Sequence, residues 1–262
     1  MKKILITGGL GYIGSHTVVE FIKKDLYDVI VVDNNSTSET WIKQQIETIT
    51  VYGNPQHLPV TENSPTSIPE SPYGMTKLMS EHILQDAVKS SSLKVVSLRY
   101  FNPVGAHESG LIGELPIGVP YYLVPFITQT AIGLRDKLVI HGNDYPTRDG
   151  TCIRDYIYIT DLALAHLQAL EFIEMSNHDT HWHIFNLGTG VGVTVLEAVQ
   201  AFIKATKQPL KFEYGPRRPG DTIEIYANFD KAKKILGWMP KTSLESMMLS
   251  AWNWEKYVRS RS

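Results

Sequence analysis

Tyr73 and Lys77 stand four residues apart in the run Tyr73-Gly74-Met75-Thr76-Lys77. On a helix that spacing puts a phenol and an ammonium on one face, about 6 Å apart along the axis. A phenol ordinarily keeps its proton to a pH of about 10, so using it as a base near neutrality costs roughly 4 kcal/mol. A neighbouring cation can supply that. Upstream, Gly9-x-Gly11-x-x-Gly14, also readable as Gly8-x-x-Gly11-x-x-Gly14, is followed nineteen residues later by Asp33. Glycines there allow a tight turn and bring backbone N–H groups against a pyrophosphate, and the helix that follows adds partial positive charge. Asp33 would accept hydrogen bonds from the adenosine ribose hydroxyls, and its charge would repel a 2′-phosphate, favouring NAD over NADP.

These residues need strands and helices in a particular order. Lys3 to Thr7 is a short apolar run ending at the glycines, and residues 12–24 carry apolar positions at helical spacing. Residues 28–33 are apolar at every internal position, which predicts a strand buried on both faces. A βαβ unit therefore opens the chain. Trp41 to Ile49 suggests a short helix, residues 54–72 a proline-rich loop, 73–88 a helix and 94–101 another buried strand. Further helices are expected at 122–134, 160–174, 193–206, 229–236 and 243–258, with strands at 137–141, 184–188 and 210–214. Trp252, Trp254 and Tyr257 read as core packing on the last helix.

Composition narrows the class. The chain has 262 residues, 25 basic against 27 acidic side chains and a formal charge of −2, with no long block of one sign. Neither nucleic acid nor a membrane surface is an expected partner. No signal peptide or membrane-spanning stretch is present, so the expected location is the cytoplasm. A single cysteine, Cys152, excludes a disulfide framework. His178, His181 and His183, with Cys152, could be imagined as metal ligands, but such loop histidines are usually solvated and the thiol has no spacing partner, so no metal is expected.

The residues resemble the extended short-chain dehydrogenase/reductase family and, within it, the UDP-glucose 4-epimerase branch. The match is carried by Ile6 to Thr17, Thr50-Val51-Tyr52-Gly53, Ser71-Pro72-Tyr73-Gly74, Arg99 to His107, Gly142 to Tyr145, Asp149-Gly150-Thr151, Arg154 to Ile157 and Arg217-Arg218-x-Gly220-Asp221. The resemblance implies a Rossmann-like doubly wound parallel sheet in an α/β chain, with a smaller C-terminal α/β lobe for the substrate. Residues 1–105 would hold NAD and 106–262 mainly the UDP-sugar, with 143–190 returning to the first domain. Gly8, Gly11, Tyr12, Ile13, Gly14, Asp33, Asn34, Asn35, Lys77 and Phe101 would bind the cofactor. Tyr73 would take the C4 hydroxyl proton while C4 is oxidised, and the 4-keto sugar would turn over in the pocket and be reduced from its other face. Lys77 would tune that phenol. Arg154 and Arg218 would grip the UDP pyrophosphate, Asn102 the nucleotide sugar and Asp221 the uridine ribose.

The chain also departs from the family. Only residues 34–50 fill the space between the acid-ended second strand and Val51-Tyr52-Gly53, so about three βα units are missing. The family's catalytic hydroxyl position falls by counting on Thr48. Loss of two strands would leave a gap of roughly 10 Å in the sheet. Either residues 95–101 close directly beside 4–7 or the fold is compromised. Tyr121 and Tyr122 replace two asparagines before Leu123 at a uridine-contacting position, His141 replaces the uracil-stacking aromatic, and Ile225 stands at the sugar gate. One of the family's two dimer helices, near 74–88, is retained, so a homodimer is expected to be weakened. A related dehydratase or decarboxylase would need further acid or base groups near Tyr73, and no such motif is present. The alternative is a catalytically impaired or silent homologue that at most binds NAD or UDP-sugar.

Overall fold

The computed structural model describes residues 1–33, 51–66, 72–116, 118–175 and 181–261, and for Pro72 and Tyr73 the backbone alone. β1 (Lys2–Thr7) leads through Gly8, at φ +67°, into α1 (Tyr12–Lys24) and then β2 (Tyr27–Val32). β1 and β2 pair in parallel from Lys2 opposite Tyr27 to Thr7 opposite Val32, and α1 lies against their inner face. On that face Ile4, Ile6 and Val29 pack with Phe21, Tyr27 and Leu167.

The outer face corrects an expectation from the sequence. Leu5, Ile30 and Val32 are 58%, 44% and 52% exposed, so β2 is not buried on both faces. Successive side chains in a strand point to opposite sides, and among the described residues no layer covers the outer side of this pair.

Beyond the first unit the chain forms α2 (Pro72–Ser90), β3 (Val95–Tyr100), β4 (Asn102–Val104), α3 (Leu123–Ala131) and β5 (Leu138–His141). It continues through β6 (Ile153–Arg154), β7 (Tyr156–Tyr158), α4 (Ile159–Met175), β8 (Trp182–Leu187) and β9 (Val193–Thr194). α5 (Val195–Thr206), β10 (Phe212–Gly215), α6 (Asp230–Leu236) and α7 (Leu244–Arg261) complete it. α5 starts on a capping box in which Thr194 and Glu197 satisfy each other's backbone N–H groups. The remaining parallel pairs are β3 with β8, β4 with β7 and β5 with β10, while β6 and β9 run antiparallel.

Direct closure of β3 onto β1 does not occur among the described residues, where β1 pairs with β2 and β3 with β8. The halves are joined instead through packing of α1 on α4 and through a core that includes Tyr12, Ile157, Leu162, Phe185 and Trp238. A second core of Val104, Ile127, Leu138, Phe202, Met248 and Trp252 unites α3, α5 and α7 with β4 and β5. Trp252 is core, as its spacing suggested. Among the described residues no helix is long and apolar enough to cross a membrane.

Acid should loosen the start of this fold. His16 is 1% exposed. Its Nδ1–H donates to the Tyr12 carbonyl at 2.7 Å, while Nε2 accepts the His107 amide at 3.0 Å, a pair of bonds that only the neutral ring makes. Burial, with added repulsion from His107 and Lys23, lowers its pKa to about 4. The folded value lies below the unfolded one, so the stabilisation is complete above pH 6.5 and is lost as pH falls towards 4. The expected loss is about 3 kcal/mol, read as a fall in the urea midpoint between pH 7 and 4. His16→Gln should flatten that slope; an unchanged slope would refute the assignment.

Candidate active site

The glycine loop is built for close approach. Gly11 precedes α1 with extended backbone and no side-chain cap, leaving the amide groups of the first turn uncapped by a side chain. A Cβ on Gly14 would overlap the Gly8 carbonyl, and one on Gly9 would stand 2.6 Å from Val31 Cγ1. Asp33 closes the loop from the end of β2, accepting the Leu10 amide on Oδ2 at 2.9 Å. This is the arrangement a dinucleotide pyrophosphate and an adjacent ribose require. Tyr12 and Ile13 contribute side chains to the core beneath it, Tyr12 donating its hydroxyl to the Gly105 carbonyl at 2.7 Å. Asn34, Asn35 and Thr48 lie outside the described residues.

α2 places Tyr73 in its first turn and Lys77 one turn later. Lys77 is half-buried, and burial lowers its pKa. The helix is anchored through Glu81, four residues beyond Lys77. Arg99 on β3 donates Nε and Nη2 to the two Glu81 oxygens at 2.8 and 2.6 Å, and Nη1 to the Tyr52 hydroxyl at 2.9 Å. Tyr52 in turn donates to Asn186 Oδ1 at 2.6 Å. Phe101 is fully buried beside Val51, Tyr52 and Ile225.

A cavity of about 760 Å³ opens on the other side of Asn102. It gathers Asn102, Tyr122, Leu123, His141, Arg154, Arg218 and Asp221, the residues that the sequence assigned to one ligand. Arg154 donates Nη1 to the carbonyls of Ile153 and Thr222 at 2.9 and 2.7 Å, and its Nη2 lies 3.6 Å from Asp221. Arg218 forms a two-pronged pair with the same carboxylate at 2.9 and 3.1 Å. Two guanidiniums thus converge on Asp221, and forked donors of this kind match phosphate oxygens. His141 Nδ1 lies 3.2 Å from the Pro216 carbonyl. Ile225 does not line this cavity. Its amide bonds the Ile153 carbonyl at 3.2 Å and its side chain is buried against Phe101.

Two lining residues carry chemistry that the sequence reading did not assign to the pocket. Cys152 carries no pocket role in the sequence, where it bears only on disulfides and a metal site. Glu114 was passed over, although it is the one acid in the apolar run Leu111 to Pro120. That isolation was the available signal.

Residues 42–250 match the family model for GDP-mannose 4,6 dehydratase, and residues 4–49 match that of the NAD dependent epimerase/dehydratase family. The UDP-glucose 4-epimerase of Bifidobacterium longum is 34% identical over 334 aligned residues, covering 97% of this chain and 97% of its own. The chain belongs to the UDP-glucose 4-epimerase family. The family member from Yersinia pestis is 36% identical over 331 residues, covering 96% of this chain and 97% of its own. The B. longum enzyme, crystallised with NAD+ and UDP, superposes with a TM-score of 0.89 at 33% identity over 98% of both chains. That of Stenotrophomonas maltophila, with NAD and formylated UDP-arabinopyranose, gives 0.91 at 33% identity over 100% of both. An alignment of 334 positions against 262 residues leaves at least 72 positions with no residue of this chain. The retained elements nevertheless superpose on these family structures over nearly their whole length.

Proposed function

We propose that this chain interconverts UDP-glucose and UDP-galactose at C4. The observation that carries the reading is the cavity in which Arg154, Arg218 and Asp221 face Asn102. In it the two arginines exchange part of their hold on Asp221 for the diphosphate, and Asp221 turns to the uridine ribose. Anchoring by the diphosphate leaves the hexose free to present either face. Tyr73 removes the C4 hydroxyl proton and later returns it, and the Lys77 ammonium favours the phenolate. NAD, when bound at the glycine loop and Asp33, supplies the oxidant and reductant at C4. Residues 1–105, with 143–190, form the part that holds the cofactor, and the rest of 106–262 the part that holds the nucleotide sugar.

A second reading, a silent homologue that binds NAD or UDP-sugar at most, is favoured by the exposed outer face of β1 and β2. Incubation with UDP-galactose separates the two. UDP-glucose formation by protein that releases NAD on denaturation is the expected result. Absence of both turnover and released NAD would leave only ancestry.

A further inference from the structure

Tyr12 and His16 lie one turn apart on the same face of α1, directly behind Gly11, their rings edge to face with centroids 5.3 Å apart. Neither side chain is used in the mechanism above, and both reach out of the glycine-loop unit to a single stretch of chain. Tyr12 donates its hydroxyl to the Gly105 carbonyl at 2.7 Å, and His16 Nε2 accepts the His107 amide at 3.0 Å. Further along α1, Lys23 Nζ stands 3.0 Å from His107 Nε2. Burial, with the charge of Glu114, raises the Tyr12 phenol well above its ordinary pKa, so it remains a donor.

The stretch held in this way has no slack of its own. Gly105 sits at φ +93°, and a Cβ there would come within 2.8 Å of both Tyr158 Cε2 and Ser250 Oγ. In the next residue, the Ala106 amide donates to Ser250 Oγ at 3.1 Å and the Ala106 carbonyl accepts the Tyr158 hydroxyl at 2.6 Å. Immediately before it, β4 pairs with β7 and supplies Asn102 and Val104 to the cavity wall. Gly105 is three residues from Asn102, about 10 Å along an extended chain. The helix whose start faces the dinucleotide site is thereby bonded to the strand that faces the nucleotide-sugar cavity. Apolar packing of α1 on α4 is non-directional, whereas the bonds at Gly105 and His107 set a distance and an angle.

We propose that Tyr12, supported by His16, is a positioning residue for the reaction: its hydroxyl, acting through the Gly105 carbonyl, sets the cofactor loop against the strand lining the nucleotide-sugar cavity and carries ordering of one to the other. The inference rests on the nucleotide-sugar reading above. The two reacting partners are held by different halves of the molecule, and transfer between them demands one geometry.

The first test is hydrogen exchange on the full wild-type chain with UDP, which does not depend on any variant folding. UDP should slow exchange in residues 12–18 of α1 as well as at the cavity, although none of those residues lines it. Tyr12→Phe should lose that response and lower kcat by about 10 to 10² fold, as a displacement of up to about 1 Å at reacting groups does, with KM and UDP affinity near wild type. Tyr158→Phe removes a hydroxyl bonded to the neighbouring Ala106 carbonyl and leaves the bonds from α1 in place. It should keep both the response and the kcat, which a general loosening of the stretch would not allow. Unchanged exchange in residues 12–18 when UDP binds, a Tyr12→Phe chain with wild-type kcat, or equal losses in the two variants would overturn the inference alone. Failure of the wild-type chain to bind UDP or to turn over UDP-galactose would overturn the reading above and this inference with it.

Discussion

Tyr73→Phe should lower the rate of UDP-galactose epimerisation by about 10² to 10⁴ fold, the range for loss of a positioned acid–base group, while leaving NAD retention and UDP affinity close to wild type. The substitution removes one hydroxyl and leaves the helix start intact. The backbone of Tyr73 occupies the first turn of α2, with Lys77 a turn further on. Half-burial makes that lysine's charge more effective on its neighbour than a solvated one, since fields are screened less where water is excluded. Burial also lowers the lysine's own pKa. In the proposed mechanism, a lysine that protonates less readily would in exchange pull more strongly on the phenol. A pH–rate profile tests this coupling. Lys77→Met should displace the acidic limb towards higher pH, because the phenol then loses its proton later. An unmoved limb, or a Tyr73→Phe variant with wild-type turnover, would remove the pair from the mechanism.

The features legible in the sequence are those whose physics is local. Gly8 to Gly14 sits between a strand and a helix whatever the rest of the chain does, and residues 12–24 bear helical periodicity that α1 reproduces residue for residue. Features requiring a partner from elsewhere were harder to read. Residues 28–33 were read as doubly buried because their apolar run assumes covering layers, and among the described residues the outer layer is absent, leaving Ile30 and Val32 in solvent. Closure of β3 onto β1 was one of two outcomes expected from the cost of unpaired backbone, but among the described residues β3 takes β8 as its partner and β1 takes β2. The pocket residues from Asn102 to Asp221 came from resemblance, since no local spacing links them. Glu114 escaped notice because the resemblance named no role for it.

Arg99→Met should destabilise the fold by about 3–5 kcal/mol, the usual cost of leaving one buried charge without its partner. Arg99 and Glu81 have side chains only 4% and 15% exposed, and their bond is two-pronged. Removing the guanidinium strands the carboxylate against β3 and takes one donor from the Tyr52 hydroxyl, which still donates to Asn186. Replacing both charges, as Arg99→Met with Glu81→Leu, should recover most of the stability, because an apolar pair of similar volume carries no desolvation penalty. Recovery of activity should not follow. The fork fixes how α2 is turned and where along β3 it sits, whereas an apolar contact fixes neither, and Tyr73 and Lys77 ride on that helix. Since a displacement of about 1 Å at reacting groups can cost about 10² fold in rate, the double variant should show a restored urea midpoint, unchanged UDP affinity and a depressed kcat. Were kcat to return with stability, Arg99 and Glu81 would be a structural pair only, and the placement of Tyr73 would have to come from the helix start itself.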